Sequence, residues 1–162
     1  MPANATDQQD PSFSVVTTRA GGRLSLLVES FARLTGKRLI AGTTDLASAL
    51  WRVPRVIVAH GIEQDPIFFY GNRLALELFE ADAQQFVTMP SRLSAEPLLR
   101  EARAVLLARV ARDGYIDDYE GVRISTSGRR FRIERATVWT LIDGNGRRHG
   151  QAATFDRWQP LD

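Results

Sequence analysis

The 162-residue sequence contains no cysteine, one lysine (Lys37) and no long apolar run. Without cysteine the chain can form no disulfide, thiolate metal site or cysteine nucleophile. No stretch approaches the roughly 20 apolar residues that span a bilayer. Residues 1–18 also lack the cationic start and apolar core of a secretory signal. These absences predict a cytoplasmic protein without a membrane segment.

Positive charge is carried almost entirely by arginine, and the excess over negative charge is small. The formal net charge is +2 although the isoelectric point is about 9.5, so charge alone does not indicate nucleic-acid binding. A hydrophobic content of 44% with 25% charged residues is ordinary for a globular domain. We expect a flexible tail over residues 1–18, a helical segment over residues 19–53 and a main domain over residues 54–157.

The last third of the chain reads as three strands separated by two glycine turns. The predicted strands cover residues 117–126, 129–142 and 147–155, with Ser127-Gly128 and Asp143-Gly144-Asn145-Gly146 between them. Glycine supplies the positive φ that hairpin turns require, and Asn and Asp tolerate it better than most residues. The sequence therefore predicts a three-stranded antiparallel meander.

The first half of the chain predicts two helices followed by two short strands. Apolar residues fall at helical spacing from Leu24 to Leu34, and Thr44 and Asp45 are the candidate N-caps of a shorter helix. Residues 55–59 and 67–70 are rich in β-branched and aromatic side chains, which favour strands.

Between these strands and the meander, the sequence predicts several helices. Asn72 and Asp82 are placed as N-caps of short helices, Ser94 caps a long helix with Pro97 in its first turn, and Gly114 ends that helix. The fold class is therefore α+β: a five-stranded antiparallel sheet, with helices between the second and third strands and N-terminal helices packed on the sheet.

This order of elements resembles a PAS domain, and the local sequence agrees. The matching segments are residues 67–72, which end in the helix-capping asparagine, residues 127–131 and the second glycine turn. More narrowly, the chain resembles the bacterial MEKHLA-domain proteins, a PAS-like family, over roughly residues 22–157. The segments that carry this resemblance are residues 60–68, 72–79, 90–97, 114–119 and 150–155.

The resemblance implies a stand-alone sensory or protein-interaction module rather than an enzyme. The family also occurs at the end of plant class III homeodomain–leucine zipper proteins, but no homeodomain or zipper accompanies it in this sequence. The resemblance brings no settled ligand with it, and any output would act in trans on another protein.

A PAS-like fold implies a small pocket between the sheet and the middle helices. Its predicted lining is Phe69, Asn72, Phe79, Met89, Arg92, Leu93, Trp139, Gln151 and Ala153. Apolar members of this set serve equally well as core residues. A domain with a filled core and no ligand, acting only through protein contacts, is therefore an alternative interpretation.

The cofactor is not identified by the sequence. Residues 90–94 occupy the place where light-sensing, flavin-binding PAS domains carry an Asn-Cys-Arg-Phe-Leu-Gln string. Arg92 keeps the arginine, but Ser91 replaces the cysteine, so no covalent flavin adduct can form. Arg132 and Glu134 also replace the amides that hold a flavin ring, which disfavours non-covalent flavin.

Two other groups of polar residues are candidate sites. His60, Glu63 and Asp65 crowd one turn, but their spacing matches no metal-ligand pattern, so we predict a hydrogen-bonded loop and no metal. Asp117 and Asp118, with nearby tyrosines, could serve a small cone-shaped α+β enzyme of the ketosteroid isomerase-like type. That alternative requires one of the two carboxylates to be buried.

The long strand over residues 129–142 has apolar residues on both faces, so both faces need cover. The amphipathic helix from Arg23 to Leu34 could cover one of them, within the chain or across a dimer. The predicted partners are therefore a small molecule and a second copy of the chain, with neither nucleic acid nor membrane.

Overall fold

The computed structural model describes residue 7, residues 9–95 and residues 100–161, apart from the side chains of residues 100 and 103. The helices are α1 (Pro11–Ala20), α2 (Arg23–Thr35), α3 (Leu46–Arg52), α4 (Arg73–Phe79), α5 (Ala83–Phe86) and α6 (Arg100–Asp113), with a 3-10 turn at Ser91–Ser94. The strands are β1 (Val56–His60), β2 (Phe68–Gly71), β3 (Tyr115–Ile124), β4 (Arg130–Ile142), β5 (Arg148–Phe155) and β6 (Arg157–Leu161). No described helix is long and apolar enough to cross a membrane.

The predicted antiparallel sheet is confirmed, with the strand order β2-β1-β5-β4-β3. A sixth strand, β6, was not predicted. It continues β5 after Asp156 and pairs with the first half of β4, from Glu134 opposite Arg157 to Arg130 opposite Leu161. Strand β6 could not be predicted from sequence because it contains Pro160. Proline has no backbone N–H to donate between strands, so it argues against a strand.

The prediction of a flexible tail over residues 1–18 is wrong for its described part beyond Asp10. Asp10 caps helix α1, since its carboxylate accepts a hydrogen bond from Ser12 N at 2.9 Å. Phe13 and Val16 of α1 are buried in the same core as the sheet. Helix α1 was not predicted because only three of its ten residues are buried, too few to give a sustained apolar period in the sequence.

Most helix boundaries follow the predicted caps. Asn72 accepts from Ala75 N at 3.1 Å and Asp82 accepts from Gln85 N at 2.7 Å. Gly114 ends α6 with a φ of 80°. Ser94 lies in the 3-10 turn, and Pro97 falls outside the described residues, so the predicted start of the long helix is not seen.

The two faces of the sheet are covered by different helices. Residues paired across antiparallel strands share a face, and their neighbours along each strand point the other way. Trp139 packs edge-on against Phe31 of α2, with ring centroids 5.0 Å apart, and Phe68 stacks on Phe86 of α5 at 4.4 Å. We call the α2-covered side the outer face and the α5-covered side the inner face.

Two rows of paired residues define these faces. The outer row is Tyr70, Ala59, Ala152 and Trp139, and the adjacent inner row is Phe68, His60, Gln151 and Thr140. The amphipathic helix α2 lies on the sheet of its own chain, with Leu24, Leu26, Leu27 and Phe31 buried.

Candidate functional site

The nine residues predicted to line one pocket do not lie together. Trp139 lies on the outer face against Phe31, and Phe69 lies under the Arg23 guanidinium, 3.8 Å from its ring centroid. Phe79 instead contacts the rings of Phe86 and Phe131. The prediction that Phe69, Phe79 and Trp139 line one pocket is therefore wrong. When both faces of a sheet are buried, apolar pattern does not reveal which helices cover a given residue.

Asn72 is a structural hub. Its Oδ1 accepts from Ile57 N and Ala75 N, both at 3.1 Å, and its Nδ2 donates to Leu50 O at 3.1 Å and Arg55 O at 2.8 Å. An amide has two donors and two acceptor positions, and all four are occupied. Its side chain therefore ties α3, β1 and α4 together and leaves nothing for a ligand.

Arg92, Gln151 and Ala153 also lie apart. Arg92 is exposed and pairs with Asp65 at 3.1 Å. Gln151 lies opposite His60 on β1, and burial is the main cause that lowers the pKa of His60. Ala153 is half-buried opposite Val58 and Val138 on the inner face.

The polar turn after β1 does not form a metal site. The Glu63 carboxylate accepts from Ile67 N at 3.2 Å, Asp65 pairs with Arg92, and His60 Nδ1 lies 2.9 Å from Gly61 O. Within the described ranges, no group of three His, Cys, Asp or Glu side chains could hold a metal ion.

Three of the predicted residues do meet, at a cleft of about 360 Å³ beside the β3–β4 hairpin. Phe79, Met89 and Leu93 line its helical side. Leu93 is 52% exposed although it is large and apolar. The remaining lining residues are Gln85, Ile124, Ser125, Thr126 and Gly128. The cleft is therefore largely apolar, with a few polar groups along its hairpin side.

A clamp around Glu80 joins the two sides of this cleft. Ser125 Oγ donates to Glu80 Oε2 at 2.6 Å, and Ser127 Oγ donates to the same oxygen. Thr126 N donates to Phe79 O at 3.0 Å, and Thr126 Oγ1 donates to Glu80 O at 2.5 Å. We call Glu80, Ser125, Thr126 and Ser127 the Glu80 clamp.

The local chemistry of the clamp favours an ionised Glu80. The hydrogen bonds from Ser125 and Ser127 lower the pKa of its carboxyl group, and Arg129 Nε lies 3.7 Å from Oε1. Glu80 also has a φ of 55°, which is uncommon for a residue other than glycine. The sequence predicted the turn at Ser127-Gly128 correctly, but no local spacing links Ser127 to Glu80, 47 positions earlier.

The carboxylates proposed for the enzyme alternative do not meet its requirement. Asp117 and Asp118 are both exposed on β3. Asp118 pairs with Arg109 of α6 at 2.8 Å. The enzyme alternative required one of these carboxylates to be buried, and neither is.

Comparison with known proteins identifies the family and the fold. The model of the MEKHLA domain matches residues 22–160. Among curated proteins, the homeobox-leucine zipper protein ATHB-9 of Arabidopsis thaliana is 25% identical over 119 residues, 72% of this chain. HOX29 of Oryza sativa is 23% identical over 139 residues, 82% of this chain. The chain spans only 14% and 16% of the lengths of these relatives.

Solved structures with similar folds are PAS and light-oxygen-voltage domains. A PAS domain from Colwellia psychrerythraea gives a TM-score of 0.57 at 17% identity, covering 71% of this chain and 92% of that one. The light-state dimer of the fungal blue-light photoreceptor Vivid gives 0.57 at 12% identity, covering 82% and 92%. At these identities the likeness establishes a PAS-like fold.

Proposed function

The chain belongs to the MEKHLA domain family, and from this membership we propose that it is a cytoplasmic sensory or protein-interaction domain. In this proposal a small molecule binds in the cleft beside the β3–β4 hairpin, and the domain acts in trans on another protein. It performs no catalysis of its own. Ser91 carries no thiol, so a covalent flavin adduct has no part in the proposal.

The observation that carries the proposal is the exposed apolar wall of the cleft. Leu93 is more than half exposed, beside the partly buried Met89 and the ring of Phe79. Ligand sites are concave, mostly apolar and supplied with a few polar groups that fix orientation. Gln85, Ser125 and Thr126 provide those groups, so the ligand is an apolar body bearing one or two polar atoms.

The Glu80 clamp gives ligand binding a route to the rest of the domain. The clamp holds the tip of the β3–β4 hairpin to the end of α4, and both of these elements line the cleft. A molecule that widens the cleft must therefore strain or release the clamp. The hairpin would then move relative to α4, and a partner protein could detect that change.

A single methyl group reports on the cleft. Met1 and Met89 are the two methionines of the sequence, so methionine methyl labelling gives one NMR signal from the cleft. We would titrate the full chain with 8-anilinonaphthalene-1-sulfonate, an apolar fluorescent probe with one anionic group. The expected result is a saturable fluorescence increase accompanied by a shift of the Met89 methyl signal.

Two leucines of equal exposure provide a matched comparison. Leu93 in the cleft and Leu107 on α6 are both 52% exposed. Leu93→Asn should weaken probe binding about tenfold, whereas Leu107→Asn should leave it unchanged. An unmoved Met89 signal, or equal effects of the two substitutions, would overturn the cleft as the binding site.

A protein-interaction role is favoured by a separate observation on α6. Val105 is large, apolar and 61% exposed on this helix. The apolar side of α2 is buried in its own chain, so the homodimer predicted from sequence would use α6 instead. Val105→Glu should reduce dimerisation in sedimentation experiments, whereas Ile62→Glu, at 62% exposure, should not. A monomer at every concentration would contradict self-association.

A further inference from the structure

The first half of strand β4 presents exposed arginines on the outer face of the sheet. Arg130 and Arg132 are exposed, whereas Phe131 between them is buried and packs against Phe79 of α4 on the inner face. Side chains alternate along a strand, so Arg130 and Arg132 point away from Phe131, toward the outer face. Helix α2 covers the other half of β4, at Trp139.

Strand pairing extends this exposed surface onto β3 and β6. Residues paired across strands share a face, and every residue of this surface is exposed or only half-buried. We call the surface the arginine face. Its rows across the strands are Arg130 with Leu161, Val122 with Arg132 and Gln159, and Glu134 with Arg157.

A bulge in β4 separates the arginine face from the half that α2 covers. Arg135 has a φ of 51°, which is uncommon for a residue other than glycine. On β3, Tyr119 pairs with Ala136 and Gly121 pairs with Ile133, so one residue of β3 faces two residues of β4. A bulge bends its strand and increases the local twist. The arginine face therefore turns away from the part of the sheet that lies under α2.

Positive charge is concentrated at one end of the arginine face. Arg130 and Arg132 are about 7 Å apart along the strand, because alternate positions share a face. The acids Glu134 and Glu120 lie at the other end, beside the bulge. Arg132 forms no ion pair with a residue that the structure describes. Its guanidinium is therefore available to a partner.

We propose that the arginine face binds an extended acidic segment of a partner protein. Carboxylates on alternate residues of an extended chain repeat at about 7 Å, which matches the spacing of Arg130 and Arg132. A planar guanidinium binds a carboxylate through two parallel hydrogen bonds. The half-buried side chains of Val122 and Leu161 lie beside the two arginines and give the segment apolar surface to bury.

The composition of the arginine face favours a protein partner over nucleic acid. Proteins that bind single-stranded nucleic acid stack its bases on aromatic side chains, and the arginine face contains none. Trp158 is close in sequence, but it lies opposite Ile133, which is buried on the inner face. Binding of RNA is therefore the competing outcome of the test.

The arginine face shares no residue with the cleft or with α6. A partner can therefore bind there whether or not a ligand occupies the cleft. Leu93→Asn, which should weaken ligand binding in the cleft, should leave binding to the arginine face unchanged. Failure of this proposal is thus distinguishable from failure of the proposed function.

Fluorescence anisotropy with the full chain would measure the binding. The probe is a fluorescein-labelled octapeptide that alternates glutamate with valine. We expect saturable binding that weakens as salt is added, because salt screens exposed charges. The same peptide with lysine in place of glutamate should not bind, and an RNA oligonucleotide of the same length should bind more weakly than the acidic peptide.

Two charge reversals provide a matched comparison. Arg132→Glu should weaken binding of the acidic peptide about tenfold. Arg147→Glu changes the net charge equally, but Arg147 is exposed in the second glycine turn, outside the arginine face, so this variant should bind like the wild type. Absence of saturable binding, equal effects of the two reversals, or a preference for RNA would overturn the proposal.

Arg132→Gln distinguishes binding from a role in the fold. This variant should weaken peptide binding while its melting temperature stays unchanged or rises, because Arg132 has no ion pair with a described residue to lose. A clear fall in melting temperature with unchanged peptide binding would assign the guanidinium to the fold and overturn the proposal.

Discussion

The carboxylate of Glu80 accepts a hydrogen bond from the Ser125 hydroxyl at 2.6 Å, across 45 positions of sequence. The contact joins the end of α4 to the tip of the β3–β4 hairpin. Ser125 Oγ also accepts from Arg129 N at 3.1 Å, so the same hydroxyl closes the hairpin turn. One buried side chain therefore serves both the turn and its attachment to the helix.

Replacing Ser125 with alanine should loosen the hairpin tip. The substitution removes the bond to Glu80 and leaves Arg129 N without its acceptor, so we expect a loss of about 1–2 kcal/mol in the free energy of unfolding. Urea unfolding would measure the loss, and hydrogen exchange should accelerate at residues 125–129. Ser25→Ala is the control, because the exposed Ser25 hydroxyl donates to Gly22 O within its own helical turn. Equal effects of the two changes would contradict the role of the clamp.

Local spacing predicted the turn that contains Ser127 but not the clamp. Glycine and serine in a short segment between two strands specify a turn, because the backbone conformation is decided within a few residues. The partner of that turn depends on where α4 ends in space. A glutamate one residue after Phe79 carries no feature that distinguishes it from other surface carboxylates.

Asn72 should be among the least replaceable polar residues of the chain. Asn72→Ala would leave Ile57 N and Leu50 O, with two further backbone groups, unpaired in a buried setting. Each such group costs about 1–3 kcal/mol, so a loss of at least about 3 kcal/mol is expected. Urea unfolding would measure it.

The control for Asn72 is Asp82, which caps the next helix by a single bond to Gln85 N in an exposed setting. Asp82→Ala should cost only about 1 kcal/mol. Similar losses for the two variants would show that the bonds of Asn72 beyond the helix cap contribute little. The N-cap itself was predicted from sequence; the contacts to α3 and β1 were not, because they come from segments 15 to 22 positions earlier.

Asp143 should make the domain sensitive to acid. Its hydrogen bond with His149 and those from Arg147 N and Asn145 N lower the pKa of the carboxyl group to about 2, from an ordinary value of 3.8. Because folding lowers this pKa, the contribution of Asp143 to stability is complete above pH 3.8. It is lost as the pH falls through about 2.

Thermal unfolding between pH 5 and pH 1.5 would test this dependence. Asp143→Asn should lower the melting temperature at pH 5, and its melting temperature should then fall less than that of the wild type between pH 4 and pH 2. Parallel curves for the two proteins would contradict the prediction. A direct check is the carboxyl carbon signal of Asp143, which should titrate near pH 2.

More of the fold than of the candidate site could be predicted from the sequence, and the reason is physical. Strands, caps and turns are decided by periods of two to four residues, and the sequence shows these clearly around Asn72, Gly114 and Ser127-Gly128. The assignment of Phe69 and Trp139 to the outer face depends on which helix covers each side of the sheet. That choice is made by packing between distant segments, so alternation along one strand could not predict it.

Gly150 should be intolerant of any side chain. It lies on β5 with a φ of 147°, and a Cβ atom there would overlap the carbonyl oxygen of His60 on β1. The obstacle is backbone, so no side-chain rotation can relieve it. Gly150→Ala must push β1 and β5 apart, and we expect a loss of about 3 kcal/mol or more, in the range of severe core substitutions.

Gly146 separates the effect of conformation from the effect of contact. It has a φ of 79° in the second glycine turn, but a Cβ there would meet nothing within 4 Å. Gly146→Ala should therefore cost only about 1–2 kcal/mol, the ordinary penalty for a left-handed residue. If Gly150→Ala cost no more than Gly146→Ala in urea unfolding, close contact between β1 and β5 would not be the constraint at Gly150. If Gly150→Ala lowers the free energy of unfolding more than Gly146→Ala does, the extra loss comes from the close approach of β1 and β5 beside His60 and Gln151.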